Sequence, residues 1–402
     1  MMLGFLLARA GVEVTVLEKH ADFLRDFRGD TIHPSTLELM HELGILEEFL
    51  KRPHQELRQV AGQVGKETVT IGDFTHLPTR CKFLALMPQW DFLNFIVERG
   101  RRYAGFHVRM QAEATELIQD GGRIGGVRAK TPDGPLEIRS VLIVGADGRH
   151  SLVREQAGLP VMDLGAPMDV FWMRISRSAS DPGQSLGHIE PGKMFVMIDR
   201  EEYWQCAFLI PKGAADEIRQ RGIEQFREDI VALEPLLRDR VGELRDWNDV
   251  SLLTVKVDRL TQWSRPGLLC IGDAAHAMSP VGGVGINLAI QDAVAAANIL
   301  AAKLAAGNLS DGDLRAVQRR REFPTRAMQK LQVLLQNGVI RRVLSSSQPT
   351  GSQSFTLPWP LRLLRRWPIL RRIPARVIGM GFRPEHVRSP EVSSIRSSSN
   401  RH

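Results

Sequence analysis

The chain has 402 residues, 43% hydrophobic and 25% charged, enough for two or three domains with a sizeable core and no need of disulfides or structural metal. Wholesale disorder, collagen and coiled coil are excluded by that composition. Three widely spaced cysteines (Cys81, Cys206, Cys270) without a C-x-x-C argue against a disulfide framework or zinc site and suit a reducing cytoplasm. The net charge of +7 is local: residues 360–402 hold ten arginines against Glu385 and Glu391, so the rest is nearly neutral. A neutral body offers no supporting patch for nucleic acid.

Residues 3–9 read as a helix closed by Ala10-Gly11, and V-E-V-T-V-L-E at 12–18 as a strand ending in Glu18. Arg9 and Glu13 interrupt this apolar opening and no positive n-region precedes it, so it does not read as a signal peptide. No apolar run reaches the roughly 18–20 residues needed to span a bilayer. Residues 35–51 form the next expected helix, with Ser35 or Thr36 near its cap, and residues 90–103 a further amphipathic one. V-L-I-V-G-A-D-G at 141–148 and L-L-C-I-G-D-A-A-H at 268–276 share a plan, an apolar run breaking into Gly-Asp. Such runs predict strands buried on both faces of a parallel sheet.

Between those runs, residues 161–260 break into short segments such as 194–198 and 203–210, the pattern of an inserted antiparallel sheet. Beyond residue 282 a glycine turn opens a long Ala- and Leu-rich helix ending near Gly307. Helical sequence then continues to a Ser-rich end, residues 389–402, expected to be disordered. The predicted class is α/β. A dinucleotide-type parallel sheet is assigned to 1–55, 82–160 and 252–345, and an antiparallel substrate domain to 56–81 and 161–251. A C-terminal helical extension is assigned to 346–388.

Glu18 ends its strand where dinucleotide folds place an acid against a ribose, although many strands simply end in an exposed glutamate. Gly272-Asp273 puts a carboxylate just past the carboxyl end of a buried strand, where open α/β sheets bind ligands. Pro280 then introduces Gly282, Gly283 and Gly285 at a helix N-terminus, where backbone N–H groups and the helix dipole favour a flat or anionic ligand. Asp147-Gly148, with Ser151 and Arg154 behind it, reads equally as a capped turn or as a second contact for a pyrophosphate.

Three stretches together carry a family resemblance: G-A-D-G-R-H-S-L-V-R at 145–154, C-I-G-D-A-A-H-A-M-S-P-V-G-G-V-G-I-N at 270–287 and R-G-D-T-I-H-P-S-T-L-E-L-M at 28–40. The chain resembles the single-component FAD-dependent aromatic hydroxylases related to p-hydroxybenzoate hydroxylase, from about residue 3 to residue 388. That resemblance implies a monooxygenase in which NADH or NADPH reduces FAD and a flavin hydroperoxide hydroxylates an aromatic, phenolic or polyketide-like substrate with oxygen. By the same resemblance Asp273 holds the ribityl chain and Glu18 the adenosine ribose, while Asp147, Gly148 and Arg154 lie near the pyrophosphate. The backbone of Gly283, Val284, Gly285, Ile286 and Asn287 then faces the flavin's pyrimidine edge, beside Gly272 and Gly282. Pro280 lines the flavin face, and Arg28 and Gln89 are flavin contacts; Gln89 could equally cap its helix.

That family opens with a strand and a G-x-G-x-x-G turn ahead of the helix at which this sequence starts, so those elements are expected to be missing here. An inactive, flavin-free paralogue is therefore one alternative, and a flavin halogenase or reductase another. The halogenase signature W-x-W-x-I-P is not matched by the run from Trp204 to Pro211. His33, His188 and His276 lack a spaced partner or a plain catalytic position, so no catalytic base and no metal ligand is assigned. For the basic tail, prolines at 358, 360, 368 and 374 favour packing on the flavin domain over a membrane surface. A monomer or homodimer is expected.

Overall fold

The computed structural model describes residues 1–24, 31–64, 67–182, 186–345 and 359–392. Met2–Arg9 forms a helix whose apolar residues are almost all buried, and the chain leaves it through Gly11 at φ 82°. The strand Val14–Leu17 then pairs in parallel with Phe106–Arg109. A second parallel ladder joins Ile143–Gly145 to Leu268–Cys270, with Gly145 opposite Cys270. These two ladders do not pair with each other among the described residues.

The two apolar runs, expected to be alike, differ accordingly. Leu268, Leu269 and Cys270 are fully buried, whereas Ile143 and Val144 are half-buried and Val141 is 65% exposed. Leu268–Cys270 has a strand on either side, but Ile143–Gly145 is paired on one side only among the described residues. The helix expected over 35–51 is also interrupted. It comprises Pro34–Glu42 and Leu46–Phe49, separated at Gly44, whose φ of 68° no helix accommodates. Its N-cap is His33 rather than Ser35 or Thr36, because His33 is extended at φ −84° and ψ 159° and Pro34 opens the helix at its first position. The Thr36 hydroxyl donates to Asn287 instead.

A seven-stranded sheet runs in the order Val250–Leu253, Met168–Ser176, Tyr203–Pro211, Lys193–Asp199, Leu186–Glu190, Gln59–Val64 and Glu67–Asp73. All its pairings are antiparallel except that of Leu186–Glu190 with Gln59–Val64. Strand alternation gives it two apolar faces. Phe171, Met173, Phe195, Trp204 and Phe208 pack under the helix Ile223–Leu233. Val170, Trp172, Met194, Val196 and Leu209 face the other way, toward Val281, Val333, Ile340 and Leu344.

The helix Gly285–Ala305 packs between Met2–Arg9 and Asp311–Leu335. Contrary to the sequence expectation, Val281–Ala305 is long and apolar enough to cross a membrane by length and composition. Most of its apolar stretch is buried inside the protein, which makes it a core helix. The tail also departs from expectation. Residues 389–392 are ordered against the first helix, where Val392 N–H donates to the Arg9 carbonyl and Arg9 pairs with Glu391 at 3.0 Å. The rest of the expected disordered end, 393–402, lies outside the described residues.

Candidate active site

Ile143–Gly145 and Leu268–Cys270 are parallel and in register, so their Gly-Asp turns emerge at one edge of the ladder. Gly272 sits at φ 58° and is packed so closely that an added Cβ would lie 2.9 Å from that of Ala289. Only glycine fits there. Its N–H donates to Asp292 Oδ2 at 3.1 Å, which fixes the turn and leaves the half-buried Asp273 carboxylate at the sheet edge. Arg149 Nη2 lies 3.6 Å from Asp273 Oδ2, bringing the two turns into electrostatic contact.

The turn Val281–Gly283 follows, with Gly282 at φ 80° and Gly283 at φ 60°. It delivers the chain into the helix Gly285–Ala305, whose N-cap, Val284, makes no side-chain capping hydrogen bond. The helix therefore presents uncapped N–H groups at Gly285, Ile286 and Asn287, the usual arrangement for receiving partial negative charge. A Cβ on Gly285 would come 3.9 Å from Asp273 Oδ1, so carboxylate and helix end border one space. Pro280 is half-buried beside it.

Asn287 locks this loop to the segment after residue 30. Its Oδ1 accepts from His33 N at 2.9 Å and Thr36 Oγ1 at 2.8 Å, and its Nδ2 donates to Thr31 O at 3.0 Å. Thr31 Oγ1 in turn donates to Gly283 O at 3.2 Å. The Asn287 side chain is thus a clamp, leaving its backbone as the part that can meet a ligand.

Other expected residues are placed differently. Asp147 accepts from Ser151 Oγ at 2.5 Å and Val153 N at 3.1 Å, so its carboxylate organises the start of Leu152–Gln156. Gly148, at φ 85°, makes the turn itself. Arg154 is buried, with both terminal nitrogens 3.2 Å from the Asp258 carboxylate. Its guanidinium is occupied there, and Arg149 takes the position at the turn that the sequence suggested for Arg154. Glu18 is half-buried at its strand end and accepts from His20 N at 3.0 Å. Gln89 is the first residue of Gln89–Gly100 and does not cap it; the N-cap is Pro88. Arg28 lies outside the described residues.

The histidines do have partners, distant in sequence. His276 Nε2 is 2.5 Å from Asp292 Oδ2 in the core, and Arg321 Nε donates to Asp292 Oδ1 at 2.9 Å. Burial alone would raise the Asp292 carboxyl, but the charges and hydrogen bonds of His276 and Arg321 overcome it and hold Asp292 below the usual carboxylate range. His188 faces Glu234 at 3.0 Å. Burial pushes His33 down to about 4, even though its Nδ1 meets the Ile378 carbonyl at 2.8 Å. Among the described residues no group of His, Cys, Asp or Glu could hold a metal ion, and all three cysteines are buried free thiols.

Two turns rich in glycine and aspartate on adjacent parallel strands, with an uncapped helix end beside them, are the arrangement at which open α/β sheets bind ligands. A family model described as FAD binding domain matches residues 1–330, and the chain belongs to that family. It is 31% identical over 389 residues, 96% of this chain and 91% of the relative, to 6-methylpretetramide 4-monooxygenase of Streptomyces rimosus. In fold it is similar to the p-nitrophenol 4-monooxygenase PnpA of Pseudomonas putida DLL-E4, at TM-score 0.71 and 20% identity, covering 94% of this chain and 92% of that one. The flavin-dependent brominase Bmp2 shares the fold at TM-score 0.73 and 15% identity, over 94% and 90% of the two chains. The protein is an FAD-dependent monooxygenase.

Proposed function

We propose that this enzyme takes two reducing equivalents from NADH or NADPH and inserts one atom of dioxygen into an electron-rich ring of an aromatic, phenolic or polyketide-like substrate, the other atom leaving as water. The observation that carries this reading is the Asp273 carboxylate beside the uncapped end of Gly285–Ala305, with the apolar sheet face of Val170, Trp172, Met194 and Val196 across from Val281. The residues fit FAD in their chemistry: a carboxylate for sugar hydroxyls, backbone N–H donors for an anionic ring edge, and Arg149 for charge balance. When bound, the flavin supplies the redox and oxygen-transfer chemistry, as cofactors do.

The chain's own residues bind, orient and exclude water. Asp273 accepts hydrogen bonds from the polyol chain, while Gly272, tied to Asp292, keeps that carboxylate in place. The N–H groups of Gly285, Ile286 and Asn287 stabilise developing negative charge, and the helix dipole adds to them. Gly283, whose N–H donates to the Pro280 carbonyl at 3.0 Å, and Val284 shape the turn that leads into them. Gly148 and Asp147 shape the second turn, where Arg149 replaces Arg154 as the charged contact; Glu18 serves the ribose of the adenosine. Val281 meets the apolar sheet face, and with Pro280 beside it keeps the reacting ring dry and oriented. Gln89, at the head of its helix, and Arg28 are retained as contacts to the ring system.

The test is oxygen uptake by flavin-loaded enzyme with NADH or NADPH, with and without aromatic polyketides and simple phenols. The expected result is substrate-stimulated uptake with a product heavier by one oxygen atom. Nicotinamide oxidation that no aromatic compound accelerates, with no oxygenated product, overturns the reading.

A further inference from the structure

Residues 359–384 contain seven arginines and no lysine, aspartate or glutamate. This segment folds as the helix Trp359–Arg366, a turn at Pro368–Arg371 and the helix Arg372–Met380. Its inner side is anchored. Arg365 pairs with Glu67 of the sheet hairpin, Leu361 packs near Val64 and Val69, and Ala375 packs with Phe74 and Leu77. A Cβ on Gly379 would lie 2.9 Å from Leu77 Cδ1, so this contact is close. The expectation of packing on the flavin domain holds only for the second helix, where Val377 and Ile378 meet Met278, Val284 and Leu288. The first helix lies on the hairpin strand Glu67–Asp73 instead.

The outer side is apolar and basic together. Leu363 is 44% exposed, Trp367 57%, Ile369 60% and Ile373 61%. Four of the twelve exposed large hydrophobic residues in the described chain thus fall within residues 363–373. Isolated exposed hydrophobics are ordinary, but such clustering marks an interaction surface. Arg362, Arg366, Arg372 and Arg376 are exposed among them. The prolines, which argued against a continuous amphipathic stripe, place Trp367 and Ile369 at the corner between the two helices. Because the inner side is fixed, these side chains are held outward.

We infer that the surface formed by residues 362–373 docks on an anionic lipid bilayer, with Trp367, Ile369 and Ile373 entering the interface and the arginines meeting lipid phosphates. Charge complementarity selects the occupant, since a segment without acids suits a negatively charged surface. The interleaved Trp and Ile favour lipid over nucleic acid, whose phosphates would leave them exposed. Each arginine near such a surface contributes roughly fivefold in affinity.

Co-sedimentation of the full chain with phosphatidylglycerol–phosphatidylcholine vesicles, beside phosphatidylcholine alone, tests this. Two variants accompany it, Trp367→Ala/Ile369→Ser/Ile373→Ser and Arg362→Gln/Arg366→Gln/Arg372→Gln, both checked for unchanged thermal unfolding. Binding to the anionic vesicles only, weakened more than about tenfold in each variant, is expected. No binding of the parent chain to anionic vesicles overturns the inference. So does undiminished binding of the apolar variant, which would reduce the surface to a general polyanion site, nucleic acid included. A lipid-free dimer that the apolar variant dissociates also overturns it, by assigning the surface to a second copy of this chain.

Discussion

The backbone N–H of Gly272 donates to Asp292 Oδ2 across 3.1 Å, so the turn that presents Asp273 is held from behind by a fully buried carboxylate of the next helix. The same carboxylate meets His276 and Arg321, and Arg321 continues to Glu385 at 3.4 Å. The turn that carries Asp273, two long helices and the segment after residue 383 are thereby joined by one buried network. Replacing Asp292 by Asn keeps the shape but removes the charge facing Arg321 and His276. Breaking a buried pair in this way costs about 3–5 kcal/mol. Asp292→Asn should unfold at correspondingly lower denaturant concentration and retain less FAD, as urea titration and flavin content will show.

The clamp at Asn287 predicts a coupled loss. Asn287→Ala leaves His33 N–H, the Thr36 hydroxyl and the Thr31 carbonyl without their partner, at a cost of about 1–3 kcal/mol for each group left buried. FAD affinity should fall together with stability, because the loop that lines the site is what the clamp holds. An FAD titration giving the parental affinity would separate the loop from the cofactor.

Gly283 offers a sharper geometric check. An added Cβ would lie 2.2 Å from Thr31 Oγ1, and the residue's φ of 60° disfavours any side chain. Gly283→Ala should therefore cost about 2 kcal/mol or more. Combining it with Thr31→Ala should recover part of that loss, since the clash goes but the backbone strain stays. A double-mutant cycle with no coupling would contradict the packing described.

His33 makes the fold acid-sensitive. An unfolded histidine takes its proton near 6.5, whereas the buried one resists until about 4. Between those values the unfolded chain binds more protons, so stability falls as pH falls; above 6.5 the group contributes no slope. The full window is worth about 3 kcal/mol. His33→Asn can still donate to the Ile378 carbonyl and should flatten the pH dependence of unfolding between pH 4 and 6.5. An unchanged slope would place the sensitivity elsewhere.

What the sequence revealed was the local chemistry. Gly272 and Gly283 announce themselves because their turns need positive φ and close approach, and both requirements are met by consecutive residues. Asp273 and the helix behind Gly285 followed from the same short stretch. Arg149 was hidden in plain view, five positions before Arg154; which arginine turns outward depends on Asp258, far along the chain. Asp292 and Glu385 gave no signal of their own, since their roles arise only when two helices and the C-terminal segment meet. The exposure of Trp367 and Ile373 likewise depends on which side of the segment the hairpin covers. Periodicity shows an apolar face, not what lies against it.

Asp273, at the edge of the parallel ladder, is the residue on which FAD binding is expected to depend most. The most direct test of that dependence is the FAD dissociation constant of the full chain and of Asp273→Ala, measured by flavin fluorescence titration. Loss of a charge-assisted hydrogen bond predicts affinity weaker by about tenfold to a hundredfold, with thermal unfolding of the flavin-free protein unchanged. Equal affinity in the two proteins, or a folded parent chain that takes up no FAD, would contradict it.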